Sequence, residues 1–399
     1  MLQSSVVKPK SLYAYMLVTG IILVAFNLRP AITSIGPVVG MIQKDVGLAH
    51  WSVSFLTSLP LIAFAVVSPI VPRIANKMSN EKTLLLGLVI ILAGIVVRSI
   101  SSIFILLTGT FLIGTGIAIC NVLLPVVIKD KFPSKFGLMT SIYSTSLGLM
   151  ASLATGLSVP LASHMELGWK TALLVWGIPA ILAILLWGYL VKNNDSKPSD
   201  IQKVTKSDHA IWRSFLAWQV AFYMGFQSLS FYVTITWLPE ILQSQGVNLS
   251  TAGWLLSFSQ LIGLPAGFLL PIIAGQIRSQ RGLAALIGLL SVLGYSGLLF
   301  FGANYLIMII SIILIGIGLG GTFPLALTFI GLRCRNARQA ADLSGMAQSI
   351  GYILAAVGPI FIGSLFDITH SWTLPLLTLV IVSVIVMIFG LGAGRNKYV

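Results

Sequence analysis

The chain has 399 residues, of which 57% are hydrophobic and only 9% are charged, whereas an ordinary soluble domain has about 25% charged residues. This composition excludes a soluble globular protein and indicates one with many membrane-spanning segments. The net charge of +14 comes from Lys and Arg residues scattered over short loops, so it is not the signature of a nucleic-acid-binding domain, and we expect no nucleic-acid partner.

Twelve apolar stretches are long enough to cross a bilayer, since a spanning helix needs about 20 apolar residues. The sequence therefore predicts an all-α membrane protein that contacts lipid along twelve transmembrane helices. The predicted spans are residues 12–39, 52–72, 83–100, 103–128, 136–161, 169–191, 213–239, 252–275, 283–301, 305–330, 342–365 and 372–393.

The first span carries an arginine and a proline side by side, Arg29 and Pro30. A guanidinium inside the membrane costs at least about 2.5–3.5 kcal/mol, so it should face a water-filled cavity or a partner, and it is a functional candidate. Pro30 removes a backbone donor and predicts a kink beside the charge. The alternative is structural: Arg29 hydrogen-bonds carbonyls freed near Pro30, or extends to the membrane surface.

The distribution of Lys and Arg predicts the orientation of the chain. If both termini are cytoplasmic, the inner segments hold twenty of these residues and the outer segments only Lys44, Arg98 and Lys170. The positive-inside rule therefore places both termini in the cytoplasm. The N-terminal apolar run is too long for a signal peptide and lacks a small-x-small cleavage site, so we interpret it as a retained first helix.

The chain repeats itself with an offset of 202 residues. Two pairs of prolines and two Gly-x-Gly pairs keep that spacing: Pro37 and Pro239, Pro69 and Pro271, Gly114-x-Gly116 and Gly316-x-Gly318. Six spans per copy make a parallel repeat, the arrangement of the major facilitator superfamily. We therefore expect two six-helix bundles, residues 1–191 and 213–399, related by a pseudo-two-fold axis and joined by a polar cytoplasmic linker at residues 192–212.

The loop after the second span, Pro72 to Met78, occupies the place of that superfamily's Gly-x-x-x-Asp-Arg-x-Gly-Arg-Arg gating motif, but lacks its Asp and its glycines. It is either a charged inner latch between helices or a plain basic inner loop. Several in-span glycines are expected to let helices pack closely; they are Gly114, Gly116, Gly148, Gly316, Gly318, Gly320 and Gly321.

Six short motifs resemble the bacterial cyanate and nitroimidazole transporter (CynX/NimT) family of the major facilitator superfamily. They are Phe26 to Ala31 (FNLRPA), Asn121 to Pro125 (NVLLP), Trp218 to Ala221 (WQVA), Phe222 to Leu229 (FYMGFQSL), Leu255 to Leu264 (LLSFSQLIGL) and Leu343 to Ala355 (LSGMAQSIGYILA). The resemblance implies a twelve-helix transporter of small polar or anionic solutes in a bacterial inner membrane. It does not choose among cyanate, nitroimidazoles and other solutes.

The acidic residues bear on energy coupling. All ten carboxylates and all four histidines map to loops or span ends in the sequence, whereas proton-driven carriers usually place a titratable group in the transport path. We therefore expect facilitated flux, exchange, or proton movement on the substrate itself. An Arg29 with no carboxylate in reach favours an anionic substrate, because the guanidinium fork suits a carboxylate or a small linear or planar anion.

Other in-span polar residues are candidates to complete a substrate site around Arg29, although each alone more often forms an interhelical hydrogen bond than a ligand contact. They are Asn27, Asn121, Tyr143, Gln227, Tyr232, Gln260 and Gln348. Four aromatic residues are candidates for an apolar floor, with lipid contact as the alternative: Phe222, Phe226, Phe231 and Trp237.

These observations favour a secondary transporter of a small polar or anionic solute that works by alternating access, as a monomer. The alternatives are an efflux carrier for neutral nitroimidazole-like compounds and a membrane sensor that binds without transporting. An enzyme is not expected, because the sequence has no metal-ligand spacing, no phosphate-binding glycine loop and no nucleophile motif. Neither a cofactor nor a metal is expected, and Cys120 and Cys334 fall too far apart for a disulfide.

Overall fold

The computed structural model describes residues 11–47, 50–100, 102–164, 168–193 and 210–399, and these residues form helices, turns and short loops, with no strand among them. The helices are α1 (Ser11–Ala25), α2 (Pro30–Thr33), α3 (Ile35–Val46), α4 (His50–Val67), α5 (Val71–Met78), α6 (Asn80–Arg98), α7 (Ile103–Lys131), α8 (Phe136–Val159), α9 (Gly168–Leu174), α10 (Gly177–Asn193), α11 (Ala210–Arg213), α12 (Phe215–Ser244), α13 (Leu249–Gln276), α14 (Arg281–Phe301), α15 (Tyr305–Leu332), α16 (Ala337–Thr369) and α17 (Thr373–Ala393). The predicted all-α class is confirmed.

Ten segments of the described chain are long and apolar enough to cross a membrane, and an eleventh is the pair formed by α4 and α5, bent by 57°. Helix α12 has 30 residues, about 45 Å at 1.5 Å per residue, which also spans a bilayer. It is less apolar because it carries Gln219, Gln227 and several hydroxyl groups. With it the described residues supply twelve candidate crossings, and α12 lines the central cavity.

The two parts of the chain pack their helices in the same way. In the first part α6 packs on α7, α7 on α4, and α10 on both α1 and α6. In the second part α14 packs on α15, α15 on α13, and α17 on both α12 and α14. Each contact of the first set has its counterpart about 202 residues later, which supports the predicted six-helix repeat. Residues 194–209 of the predicted linker lie outside the described residues.

The two halves meet mainly along three helix pairs: α8 with α13, α4 with α16 and α7 with α16. Glycine allows backbone contact at the first two of these interfaces. A Cβ on Gly137 would overlap the carbonyl oxygen of Pro271, and a Cβ on Gly345 would lie 2.9 Å from the carbonyl oxygen of Ser68. The in-span glycines expected to allow close packing do so: a Cβ on Gly116 would overlap α6, and one on Gly320 would overlap α13.

We call the end of the bundle that carries Lys77, Lys129, Lys131, Arg278 and Arg333 the basic end. Hydrogen bonds between described residues of the two halves lie at the floor of the central cavity or between it and the basic end. Lys129 Nζ donates to the Gly331 carbonyl at 2.6 Å, Ser349 Oγ to the Ala65 carbonyl at 2.8 Å, and Gln348 Nε2 to the Asn121 carbonyl at 2.8 Å. The halves are therefore closed together at the basic end.

The segment Pro72 to Met78, which the sequence suggests to be a loop, lies in helix α5 and takes part in this closure through apolar contact. Arg73 and Lys77 are exposed, whereas the ring of Pro72 packs against Gly345 of the other half. Within the first half, Lys131 pairs with Glu81 at 3.0 Å and with Asp130 at 3.1 Å. Neither of these pairs involves Arg73 or Lys77, so the reading of the segment as a charged inner latch between helices stays a prediction.

Both cysteines are free and fully buried. Cys334 lies just beyond the end of α15, at the basic end, and burial raises the pKa of its thiol to about 12, against a smaller opposing effect of Lys129. The thiol is therefore protonated at any physiological pH.

Candidate functional site

The first span is broken where the sequence predicts a kink. Helix α1 ends at Ala25, the chain turns through residues 26–29, and the one-turn helix α2 begins at Pro30. Arg29 is the residue that precedes α2, so the break places its side chain at the centre of the bundle. The predicted kink is confirmed.

Asn27 stabilises this break. Its backbone N–H bonds the Val24 carbonyl instead of the Leu23 carbonyl that a continuous helix would use. Its side-chain Nδ2 donates to the Leu23 carbonyl at 2.7 Å and so replaces the missing bond. The freed carbonyl is thus satisfied by Asn27, and no hydrogen bond from Arg29 to such a carbonyl is present among the described residues.

Arg29 faces a cavity of about 120 Å³ between the halves. Four helices provide most of its wall, α12, α13 and α15 from the second half and α8 from the first. The polar groups on the wall are neutral apart from Arg29; they belong to Ser144, Thr145, Ser152, Gln227, Ser228, Tyr232, Thr234, Ser259, Gln260 and Tyr352. The remaining wall is made of apolar side chains and glycine backbone.

The guanidinium of Arg29 lies between two aromatic rings of the second half. Its Cζ atom is 5.0 Å from the ring centroid of Phe231 and 5.6 Å from that of Phe323. Such cation–π contacts contribute about 0.5–1 kcal/mol at exposed sites and more where water is excluded. The side chain is partly buried and has no ion pair within the described chain. It is therefore a positive group at a cavity wall, held by rings and free to bind an anion.

The carboxylates described by the structure lie elsewhere. Asp45 is within 3.6 Å of Lys170, and Glu81 and Asp130 bind Lys131. None of the cavity-lining residues is acidic. Four of the ten carboxylates, those of Glu166, Asp195, Asp200 and Asp208, lie outside the described residues.

The structure brings four of the eight predicted site residues to the cavity: Arg29, Gln227, Tyr232 and Gln260. The other four are buried away from it. Three of these form a network between α7, α8 and α16, in which the Tyr143 hydroxyl donates to Asn121 Oδ1 at 3.1 Å and Gln348 donates to the Asn121 carbonyl. Asn27 is the fourth, and its contact is with α1 as described above.

Among the four aromatic candidates, Phe231 lines the cavity. Phe222 and Phe226 pack against Phe389 instead, and Trp237 stacks near Trp372. The sequence interpretation missed Phe323, Tyr352 and the serines Ser144, Ser228 and Ser259. The 202-residue repeat could have found Phe323, because it occupies the position in the second half that Asn121 occupies in the first.

Comparison with known proteins fits this geometry. Residues 21–359 match the family model of the Major Facilitator Superfamily. The chain is 41% identical to the 2-nitroimidazole transporter of Escherichia coli over 96% of each chain, and 26% identical to the cyanate transport protein CynX of Escherichia coli over 88% of this chain and 90% of the other. The transporter FucP, in a crystal structure of its outward conformation, superposes with a TM-score of 0.75 at 13% identity, over 94% of this chain and 98% of FucP.

The fold and the central cavity define a membrane transporter of the major facilitator superfamily, and not an enzyme. Within that superfamily the chain belongs to the cyanate and nitroimidazole transporter family.

Proposed function

We propose that this transporter carries a small planar or linear anion across a bacterial inner membrane, and that Arg29 binds the anion in the central cavity. The observation that carries the proposal is the guanidinium itself, which lies at the cavity wall between two rings. A cation in a low-dielectric site is costly unless it is neutralised. With no carboxylate on the wall, a bound anion is the natural counter-charge.

The size of the cavity limits the class of substrate. An engineered protein cavity of about 150 Å³ accommodates a benzene ring, so about 120 Å³ suits a solute of a few heavy atoms or one small ring. Cyanate and a five-membered heteroaromatic ring both fall in that range. The flanking rings of Phe231 and Phe323 favour a flat solute, which can stack while its charged edge meets the guanidinium.

The two named relatives need not imply different chemistry. The nitro group of 2-nitroimidazole withdraws electrons and makes the ring N–H acidic, so this compound forms a planar anion by losing that proton. Both cyanate and the nitroimidazolate ion then present a delocalised negative charge to Arg29. This chemistry also supplies a titratable proton on the substrate, which suits a cavity in which Arg29 is the only charged residue among the described residues of the wall.

Access to the cavity would alternate by rocking of the two halves, as in other parallel-repeat transporters. The halves are joined at the basic end, so in this conformation the solute would enter from the opposite end. The positive-inside rule assigns the basic end to the cytoplasm. The conformation is then outward-facing, with both termini in the cytoplasm.

A carrier of the neutral nitroimidazole is the second candidate. It is favoured by the aromatic and glycine-rich part of the cavity wall and by the name of the 41% identical relative. On this alternative Arg29 would contact the nitro group of the neutral molecule, and binding would not require ionisation.

Counterflow in proteoliposomes distinguishes the two. Vesicles loaded with unlabelled 2-nitroimidazole should take up the labelled compound, and external cyanate should compete. The compound 1-methyl-2-nitroimidazole has no ring N–H and stays neutral, so it should compete at least about tenfold more weakly, the loss expected for a charge-assisted hydrogen bond. Equal competition by the methylated compound would favour the neutral carrier, and binding of the compounds without counterflow would indicate a receptor.

A further inference from the structure

A second arginine is buried in the first half with no carboxylate partner among the described residues. Arg98 is the last residue of α6, and its side chain is 0% exposed. One terminal N–H group donates to the carbonyl of Ala31, and within the described residues its Nε and its other terminal nitrogen have no hydrogen-bond partner. Burying a charged group without an opposite charge is costly. Packing of apolar side chains does not explain a guanidinium at this position, so its hydrogen bond to the Ala31 carbonyl is the contact that indicates its role.

That contact is with the helix that follows Arg29. Ala31 lies in α2, which is a single turn bounded by the bends at residues 26–29 and at Ser34. Because α2 ends at Thr33, the Ala31 carbonyl has no helical N–H partner. Arg98 supplies a donor from a different helix. The second break, at Ser34, therefore leaves the acceptor that Arg98 fills.

A weaker contact holds the other side of the same turn. The Thr33 hydroxyl lies 3.3 Å from the Ala151 carbonyl of α8 and 3.2 Å from the carbonyl of Arg29. Helix α2 is thus held between α6 and α8, while the preceding residues 26–29 form turns whose backbone angles are not fixed by helical hydrogen bonds. The direction in which Arg29 points depends on how α2 is held.

We propose that Arg98 is the positioning residue of the anion site: it holds α2 by the Ala31 carbonyl and so keeps the guanidinium of Arg29 at the cavity wall between Phe231 and Phe323. This inference rests on the proposed function, since it concerns the anion site defined there. Arg98 does not line the cavity, so it acts through Arg29 and not by touching the solute.

The first test needs no substrate. In ligand-free Arg98→Met protein, hydrogen–deuterium exchange at the amides of residues 32–34 should become about tenfold faster, while residues 17–24 in α1 keep their wild-type rate. Arg98→Lys retains a donor and a charge and should exchange at residues 32–34 close to the wild-type rate. Unchanged exchange at residues 32–34 in Arg98→Met would overturn the proposal.

Trp187→Phe is the matched control. The indole Nε1 of Trp187 donates to the Gly20 carbonyl at 3.0 Å, so it holds the first span by a backbone carbonyl on the other side of the break. The side chains of Arg98 and Trp187 are both fully buried. The Trp187→Phe variant should speed exchange near Gly20 and leave residues 32–34 unchanged. If it speeds exchange at residues 32–34 as much as Arg98→Met does, the effect is general loosening and the proposal is wrong.

The second test is selectivity. At a pH at which 2-nitroimidazole has lost its proton, Arg98→Met should bind this anion about tenfold more weakly and 1-methyl-2-nitroimidazole within twofold of wild type, with Arg98→Lys close to wild type for both. A merely structural role predicts equal losses for both compounds, which would overturn the proposal. If wild-type protein shows no preference for the anion, the proposed function fails, while the exchange measurement still decides whether Arg98 holds α2.

Discussion

The two halves carry different chemistry at equivalent positions. Arg29 and Phe231 are 202 residues apart, as are Asn121 and Phe323, so each pair occupies the same place in the two copies of the repeat. In the folded protein the guanidinium of Arg29 lies against both rings. The first half thus contributes a charge and an amide where the second contributes two aromatic faces.

Because of this difference the two halves have different roles in the site, although they are copies of one repeat. The first half supplies the charge, on a broken helix held by its neighbours, while the second half supplies most of the cavity wall. The contacts that close the basic end, in contrast, are similar in the two halves, since each half offers one glycine to the backbone of the other. The preference for an anion should therefore depend mainly on the first half, and closure on both halves.

The largest expected effect concerns closure. Gly137→Val and Gly345→Val should each reduce counterflow at least about tenfold, because a side chain would overlap the backbone at Pro271 or press against the carbonyl of Ser68, and overpacking typically costs 1–3 kcal/mol. Ligand binding should persist in both. Gly188→Val is the control, since nothing lies within 4 Å of a Cβ there. If only one of the two variants lost flux, closure would not be shared between the halves.

A smaller effect is expected at the rings. Phe231→Leu and Phe323→Leu keep an apolar side chain but remove the cation–π contact with Arg29, worth about 0.5–1 kcal/mol. Affinity for 2-nitroimidazole should fall about two- to fivefold, and affinity for cyanate less, because cyanate has no ring to stack. Phe222→Leu is the control, as its ring packs on Phe389. Wild-type affinity in both cavity variants would show that the rings do not shape the site.

The sequence predicts the spans, the repeat, the break at Pro30 and the importance of Arg29, because a charge and a proline in an apolar helix have large energetic consequences. It predicts the rest of the site less well. Gln227 and Gln348 look alike in sequence, yet one lines the cavity and the other crosses to Asn121. In helices that are apolar on every side, the pattern of side chains does not reveal which face turns inward.

Arg98 illustrates the same limit. Arg98 lies at the end of a predicted span, so the sequence assigns it to the few charges on the outer side. It belongs to no motif, so the sequence does not indicate a role for it. In the folded protein it is fully buried against α2. Only the tertiary structure brings residues 31 and 98 together.

The buried network of Tyr143, Asn121 and Gln348 should affect stability and not the selectivity for anions. Tyr143→Phe removes the hydrogen bond to Asn121 Oδ1, and interhelical hydrogen bonds in membrane proteins contribute about 0.6 kcal/mol on average. We expect a slightly lower unfolding temperature in detergent and affinities for anionic and methylated nitroimidazole within twofold of wild type. A selective loss of anion affinity would instead assign Tyr143 to the site.

At neutral pH the smallest effect is expected for Cys334. Its thiol pKa of about 12 exceeds the unfolded value of about 8.5, so the folded state disfavours the thiolate. Stability should be unaffected below pH 8.5 and should decline above it, by roughly 1 kcal/mol per pH unit from this group until the pH approaches the folded pKa. The thermal unfolding temperature should therefore fall more steeply between pH 8 and 10 in wild-type protein than in Cys334→Ala. Parallel curves would contradict this account.

The central claim, that the charge in the first half binds the solute as an anion, is tested most directly at Arg29. The measurement is the affinity of well-folded Arg29→Gln protein for ionised 2-nitroimidazole beside its affinity for 1-methyl-2-nitroimidazole. We predict a loss of roughly tenfold to a hundredfold for the anion and little change for the methylated compound, with Arg29→Lys impaired less because it keeps the charge and loses the fork. Equal losses for the two compounds, or no loss for either, would contradict the claim and favour a carrier of neutral nitroimidazoles.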